Sequence, residues 1–569
     1  MPLDRDASDD ERETNLAPPP AKRPALDASF FDDPAAASAA TVAPGDETES
    51  GMDERAVRRL VLAFERAYAE NVKQRVKHAD DPRKFAESEI ELDAEVKALG
   101  QLASAPEMYA ELVRLNAMES VVAVLGHENE DVVADALEVV RELTDADAVE
   151  SDEAGGKALA EAIKSAGGYA ALYAALVRFE DASGRVHATT SEATNAVSSV
   201  LGIVENLGEI VGTTVDETSG ESRNQALEEL CEETDLLGWL LKRVEKKRAV
   251  DENKLYASEI LAIILQSSAK CRRQCLAMDG LEALLQAVSA YKKREPEDDG
   301  ERELVENLFD SVCAMVMTPE TKAQFVELEG VELMLMLLRG SSQDKKSTSF
   351  AAVPALKCLD YVLSGNKRAC ERFVDIGGLK NLFPAFMGRN AKSIRKTFGN
   401  DAALEQQTRS SSLLCSLFKH LEDTDRRDRL CAKFVEDDFA KCDRLIELWV
   451  EFAKRVSAEQ SRLENEDDDI GIELTEEEEY LQKLDAGLGT LEHLTLAFAN
   501  LWATAHAPIL RRLYLGASQN SITLSDLRDI IRQHAHHIGD SGGAAAREAA
   551  VAKALSLLPY APGEVHTAS

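Results

Sequence analysis

The chain of 569 residues carries 103 acidic against 65 basic side chains. Its formal charge of −38 excludes a broad nucleic-acid surface, because phosphate binding runs on Lys and Arg. Direct nucleic-acid binding is therefore not expected outside some local basic patch, and basic peptides or proteins are the better-matched partners. A hydrophobic fraction of 44% with 5% aromatics, dominated by Leu, Ala and Val, fits helix-on-helix packing and sets the expectation of an all-α fold.

Nine cysteines form no C-x-x-C pair and mostly sit in apolar helical patterns, which predicts buried, reduced thiols and no metal site. The opening MPLDRDASDDERE is acidic where a secretion signal would be basic and then apolar, and no apolar run reaches membrane-spanning length. The expectation is a soluble, intracellular protein with no membrane partner.

Residues 1–51 have the Asp, Ala, Pro, Ser and Thr bias of a disordered acidic tail. Within it, Lys22, Arg23 and Pro24 form a short basic island, either a nuclear-localisation signal or unremarkable charges in a linker. Residues 52–106 read as a helical N-terminal cap, with apolar stripes through Val57, Leu60, Val61 and Phe64 and through Ile90, Leu92, Val96 and Leu99.

The stretch Leu112 to Asp145 then supplies a complete unit. One helix, Met118 to Leu125, stops at Gly126. A second, Asp131 to Leu143, has too much apolar surface to face water unpartnered. The unit recurs: a small or turn-forming residue leads into an apolar helix at Gly168, Asp235, Gly280, Gly330 and Gly378, and a longer helix follows each. Spacings of 330 − 280 = 50 and 378 − 330 = 48 lie just above the armadillo or HEAT period of about 40–47 residues. The expected fold is an armadillo-type α-solenoid over residues 107–440, with about six units between Leu112 and Leu421. Beyond it the pattern predicts a helix at 441–461, an acidic linker at 462–479, a C-terminal helical cap at 480–540 and a tail at 541–569.

No Walker loop, G-x-S-x-G elbow or H-E-x-x-H is present, so no enzyme and no cofactor are expected. His534, His536 and His537 lack the further ligands that a tetrahedral metal site needs, and an exposed helix end is the simpler reading. The candidate site is instead acidic. In an armadillo unit the longest helix lines the groove. That places Asp131, Asp135, Glu138 and Glu142 in the first unit, Glu205 and Asn206 in the next, Glu252 and Glu259 in the third, and Glu303, Glu306 and Asp310 in the fourth. Such carboxylates would grip the Lys and Arg side chains of an extended peptide; the alternative is the solvated face that any helix of so acidic a chain displays.

Several motifs run in one order along the chain: FAESEIELD at Phe85 to Asp93, LVRLNAMESVVAVLGHENEDV from Leu112, NKLYASEILAI at Asn253 to Ile263, ENLFDSVC at Glu306 to Cys313, RFVDIGGLKNLFPAFM at Arg372 to Met387 and EEEEYLQKLDAGL at Glu476 to Leu488. On these the chain resembles the beta-catenin-like protein 1 family of armadillo-repeat, spliceosome-associated proteins, over about Met52 to Asp540. The resemblance implies a nuclear, non-enzymatic scaffold in pre-mRNA splicing. It also implies partners in the Nineteen complex and in a Myb-domain, cell-division-cycle-5-like factor, recognised through basic, nuclear-localisation-like segments; homodimerisation stays open. The alternative is an importin-α-like transport adaptor. That family uses a groove ladder of Trp and Asn, whereas Trp239, Trp449 and Trp502 are expected off the groove helices and only Asn206 falls near an Asn position.

Overall fold

In the unit Leu112 to Asp145, side-chain chemistry sets each boundary. Asn116 adopts the left-handed conformation (φ 53°) that Asn tolerates, turning the chain between helices Tyr109–Arg114 and Ala117–Val124. Asn129 caps the next helix, Glu130–Leu143, its side-chain oxygen accepting from the Asp131 N–H at 3.0 Å. Val132, Val133, Ala136, Leu137, Val139, Val140 and Leu143 are all buried on that helix, and each Val or Leu so removed from water contributes about 1.5–3 kcal/mol.

The same joint recurs. A left-handed residue, Gly167, Asp279, Glu329 or Gly377, stands immediately before the marker glycines Gly168, Gly280, Gly330 and Gly378. The marker glycine is required by close approach. A Cβ on Gly330 would lie 2.5 Å from the Phe325 ring, one on Gly378 2.6 Å from Phe373, one on Gly168 2.5 Å from Ile163 and one on Gly280 2.3 Å from Cys275 Sγ. In every case the residue five positions earlier, on the first helix of the hairpin, fills the space that the missing side chain leaves.

The computed structural model describes residues 52–183, 191–216, 219–339, 349–421, 424–470, 475–504, 506–538 and 544–557. Residues Glu54–Ser569 group as one compact unit. Its spine consists of eight helices, each packed on the next: α1 (Ala86–Leu99), α2 (Glu130–Leu143), α3 (Ser191–Val211), α4 (Glu252–Ser267), α5 (Asp299–Met315), α6 (Ala352–Leu363), α7 (Ala391–His420) and α8 (Leu488–Ala503). Paired shorter helices, such as Ala269–Ala277 with Gly280–Val288 and Pro319–Glu327 with Gly330–Arg339, flank the spine between its members. This is the expected all-α solenoid of armadillo-type units, with helices at both ends of the array. One departure from all-α is a hairpin of two short strands, Thr214–Val215 against Ser222–Arg223.

Two expectations are corrected. The stretch 462–479 is not a linker throughout: the helix Glu436–Ile470 runs into it, and Thr475 opens a new helix, Glu476–Asp485. A capping box forms there, the Glu478 N–H donating to Thr475 Oγ1 (3.3 Å) and the Thr475 N–H to Glu478 Oε2 (2.8 Å). Four consecutive glutamates thus occupy a helix's first turn, where the peptide dipoles favour negative charge. The C-terminal segment carries the short helix its sequence allows around Ala544 to Leu558: Ala544–Ser556, packed on helix Leu524–His536. Trp502 lies on spine helix α8, but its ring is buried beside Phe498 at 5.8 Å, so it presents no indole to a ligand.

Candidate functional site

Taken along the spine, the acidic residues meet different fates. On α2, Asp131, Glu138 and Glu142 are exposed. Asp135 is half-buried and shares Lys97 of α1 with Asp93; Lys97 Nζ lies 3.0 Å from Asp135 and 2.8 Å from Asp93. Burial and the hydrogen bond with Asp93 push the Asp135 carboxyl up to about 6, while the two carboxylates hold Lys97 up at about 12. Asp135 is thus committed to the α1–α2 junction.

On α3, Asn206 is also committed. Its side-chain amide donates to the Arg141 carbonyl (3.1 Å) and to Thr144 Oγ1 (3.2 Å), tying α3 to the end of α2. Glu205 accepts from the Tyr256 hydroxyl of α4 at 2.7 Å. Glu252 is exposed in the first turn of α4, where Asp251 caps the helix.

Glu259, two turns further along α4, is half-buried, and burial, Glu205 and Glu303 together push its carboxyl above the ordinary range. Glu306 is raised in the same way, by burial, then Asp310 and Glu303. Asp310 differs from its neighbours because Lys357 Nζ of α6 lies 2.8 Å away, close enough to hold the lysine's pKa up despite burial.

The fold therefore joins Glu205, Glu259, Glu303 and Glu306, from three successive spine helices, in one electrostatic cluster. Among the described residues none of the four has a Lys or Arg within ion-pair distance; only Glu205 has a hydrogen-bond partner, Tyr256. Sequence reasoning missed Tyr256, one helical turn before Glu259, and the cations Lys97 and Lys357, which lie on other helices. It also missed the next polar cluster, where Arg409 of α7 bonds Asp360 of α6 at 3.1 Å and Glu405 at 3.3 Å, with its guanidinium 5.3 Å from the Tyr361 ring.

The basic island Lys22, Arg23 and Pro24 lies outside the described residues. Of the histidines, His534 Nδ1 sits 2.8 Å from Glu492 Oε2 and His537 stacks on Tyr480 at 3.8 Å. Among the described residues no group of three or more His, Cys, Asp and Glu is placed to hold a metal, and no helix is long and apolar enough to cross a membrane.

Residues 37–532 match the model of a family described as "Catenin-beta-like, Arm-motif containing nuclear". The chain is 34% identical to Beta-catenin-like protein 1 of Homo sapiens, over 89% of this chain and 86% of that protein. It is 29% identical to the Beta-catenin-like protein 1 homolog of Schizosaccharomyces pombe, over 86% and 80% respectively. Among solved structures, one described as "A conserved phosphorylation switch controls the interaction between cadherin and beta-catenin in vitro and in vivo" aligns with a TM-score of 0.42 and 13% identity, covering 86% of this chain and 79% of that one. Sequence motifs, repeat architecture and family match agree: the chain belongs to the Catenin-beta-like, Arm-motif-containing nuclear family.

Proposed function

We propose that the protein is a nuclear, non-enzymatic scaffold of pre-mRNA splicing that holds basic, nuclear-localisation-like segments of splicing proteins against its acidic spine face. The observation that carries this reading is the Glu205, Glu259, Glu303 and Glu306 cluster. Like charges on three adjacent helices, two of them held above their ordinary protonation range, oppose one another in the free protein, and a cationic ligand would relieve that opposition. Arg and Lys side chains of an extended peptide suit the arrangement, because charge-assisted hydrogen bonds strengthen where water is partly excluded. The assignment to splicing, and to partners of the Nineteen complex and of the Myb-domain, cell-division-cycle-5-like type, rests on the family resemblance. The family's description as nuclear supports the compartment.

The test is fluorescence anisotropy of a labelled Lys/Arg-rich peptide with the full chain. Replacing the four glutamates together, Glu205→Gln, Glu259→Gln, Glu303→Gln and Glu306→Gln, is expected to weaken binding at least tenfold, about 1.4 kcal/mol, without loss of the folding transition. Equal affinity in the quadruple variant would sink the reading.

A further inference from the structure

From Ile376 to Asn400 the chain holds five cations, Lys380, Arg389, Lys392, Arg395 and Lys396, and not one Asp or Glu, in a protein of net charge −38. All five are exposed. Nearby cations are taken up by carboxylates: Arg409 by Asp360, Lys357 by Asp310, Arg426 by Asp375, Arg512 by Asp443. None of these five makes an ion pair with a described residue, although Asp437, paired with Lys441, lies within electrostatic reach of Arg389.

The fold gathers them at one edge. Lys392, Arg395 and Lys396 lie in the first turns of α7, before Gly399 (φ 90°) breaks the helix, at steps of three and four residues that put them on neighbouring positions of one side. The Arg389 N–H donates to the Pro384 carbonyl at 3.1 Å, fixing the turn that joins α7 to helix Leu379–Phe386 and to Lys380 at its start. A cavity of about 180 Å³ opens between helix Leu379–Phe386 and α7, its lining including Asn381, Asn390, Glu405, Gln406, Arg409 and, of the five cations, Lys380.

We propose that this basic edge binds single-stranded RNA, the cations engaging phosphates and the cavity amides engaging a base edge. The cavity chemistry selects RNA over an acidic peptide. Asn390 and Gln406 offer donors and acceptors together, as does Asn381 beyond its bond to the Leu335 carbonyl (3.4 Å), matching a base edge; Glu405, whose Oε1 accepts from Arg409, keeps Oε2 for a base amino group and would repel a peptide carboxylate. The acidic remainder of the protein does not forbid this, since exposed charges beyond about 8 Å are screened at physiological salt.

The experiment is anisotropy of a fluorescein-labelled oligouridine of roughly fifteen nucleotides with the full chain. With four or five phosphates neutralised, raising salt about threefold from about 50 mM is expected to weaken binding about 20- to 50-fold. The variant Arg389→Gln, Lys392→Gln, Arg395→Gln, Lys396→Gln is expected to lose at least tenfold in affinity and to flatten the salt dependence. Asn381→Ala with Gln406→Ala is expected to weaken binding while leaving the salt slope unchanged. Thermal melting confirms that each variant folds, and Lys392→Gln with Lys396→Gln alone substitutes if the quadruple variant does not. The proposal is overturned if the wild-type chain ignores the oligonucleotide at low salt, if the charge variant binds equally well, or if a polyglutamate peptide of similar length displaces the RNA as effectively as unlabelled oligouridine does.

Discussion

Helices α3 to α5 and helices α5 to α7 belong to one spine and carry similar acid, yet they treat it in opposite ways. In the first region Glu205, Glu259, Glu303 and Glu306 stand together with no cation at ion-pair distance among the described residues. In the second, three acids have one: Asp310 has Lys357, while Asp360 and Glu405 share Arg409. A net charge of −38 therefore says little about where negative potential gathers. What decides it is whether a cation on the neighbouring helix falls opposite the carboxylate.

The largest effect expected from this contrast is in the paired region. Arg409→Met leaves Asp360, only 6% exposed, without its cation, and should cost about 3–5 kcal/mol in urea unfolding. A loss under 1 kcal/mol would show that the pair is dispensable and the contrast overdrawn. Lys357→Met should cost less, about 1 kcal/mol, because both partners are about a third exposed. It also returns Asp310 to the acidic cluster, so affinity for a Lys/Arg-rich peptide should rise; a fall would place Lys357 among the ligand's own contacts.

In the unpaired region the sign reverses. Glu259→Gln should stabilise the free protein by about 0.2–0.5 kcal/mol at neutral pH, as expected for removal of one like charge, and weaken peptide binding. A destabilised variant would mean that Glu259 has a structural partner.

The smallest effect is a pH dependence. A carboxyl raised by folding binds its proton more tightly in the folded chain, so its contribution to stability falls as pH rises from the unfolded value to the folded one. For Asp135 that window runs from about 4 to about 6. The melting temperature of the wild type relative to Asp135→Asn should therefore fall as pH rises through this window and level off above it. A difference that stays flat with pH would contradict the assigned proton.

The spine was legible because its signal is local: seven apolar residues at helical spacing on α2 identify a buried face without reference to any other helix. The acidic face was legible for the same reason. Asp135 and Asn206 look like groove residues in sequence, but Lys97, Thr144 and the Arg141 carbonyl lie on different helices, and only the stacking brings them within reach. The glutamate run at 476–479 was misread because charge was given more weight than the Thr475 and Glu478 spacing that marks a capping box. The acid-free stretch at 376–400 was visible as composition. Its unpaired state was not, because pairing depends on what stands opposite.

The glycine joints have a consequence for engineering the chain. A phenylalanine seated against a glycine five residues later tolerates neither a longer nor a shorter turn, so Leu328–Glu329 and Ile376–Gly377 are fixed fittings. The connections from each hairpin to its spine helix obey no such gauge. One crosses by a 3-10 turn at Ser289–Lys292, and another passes from Arg243 to Glu252 without regular structure. Epitope tags, cross-linking cysteines or fluorescent inserts belong in those spacers, where the array can take up extra length, and never in the joints.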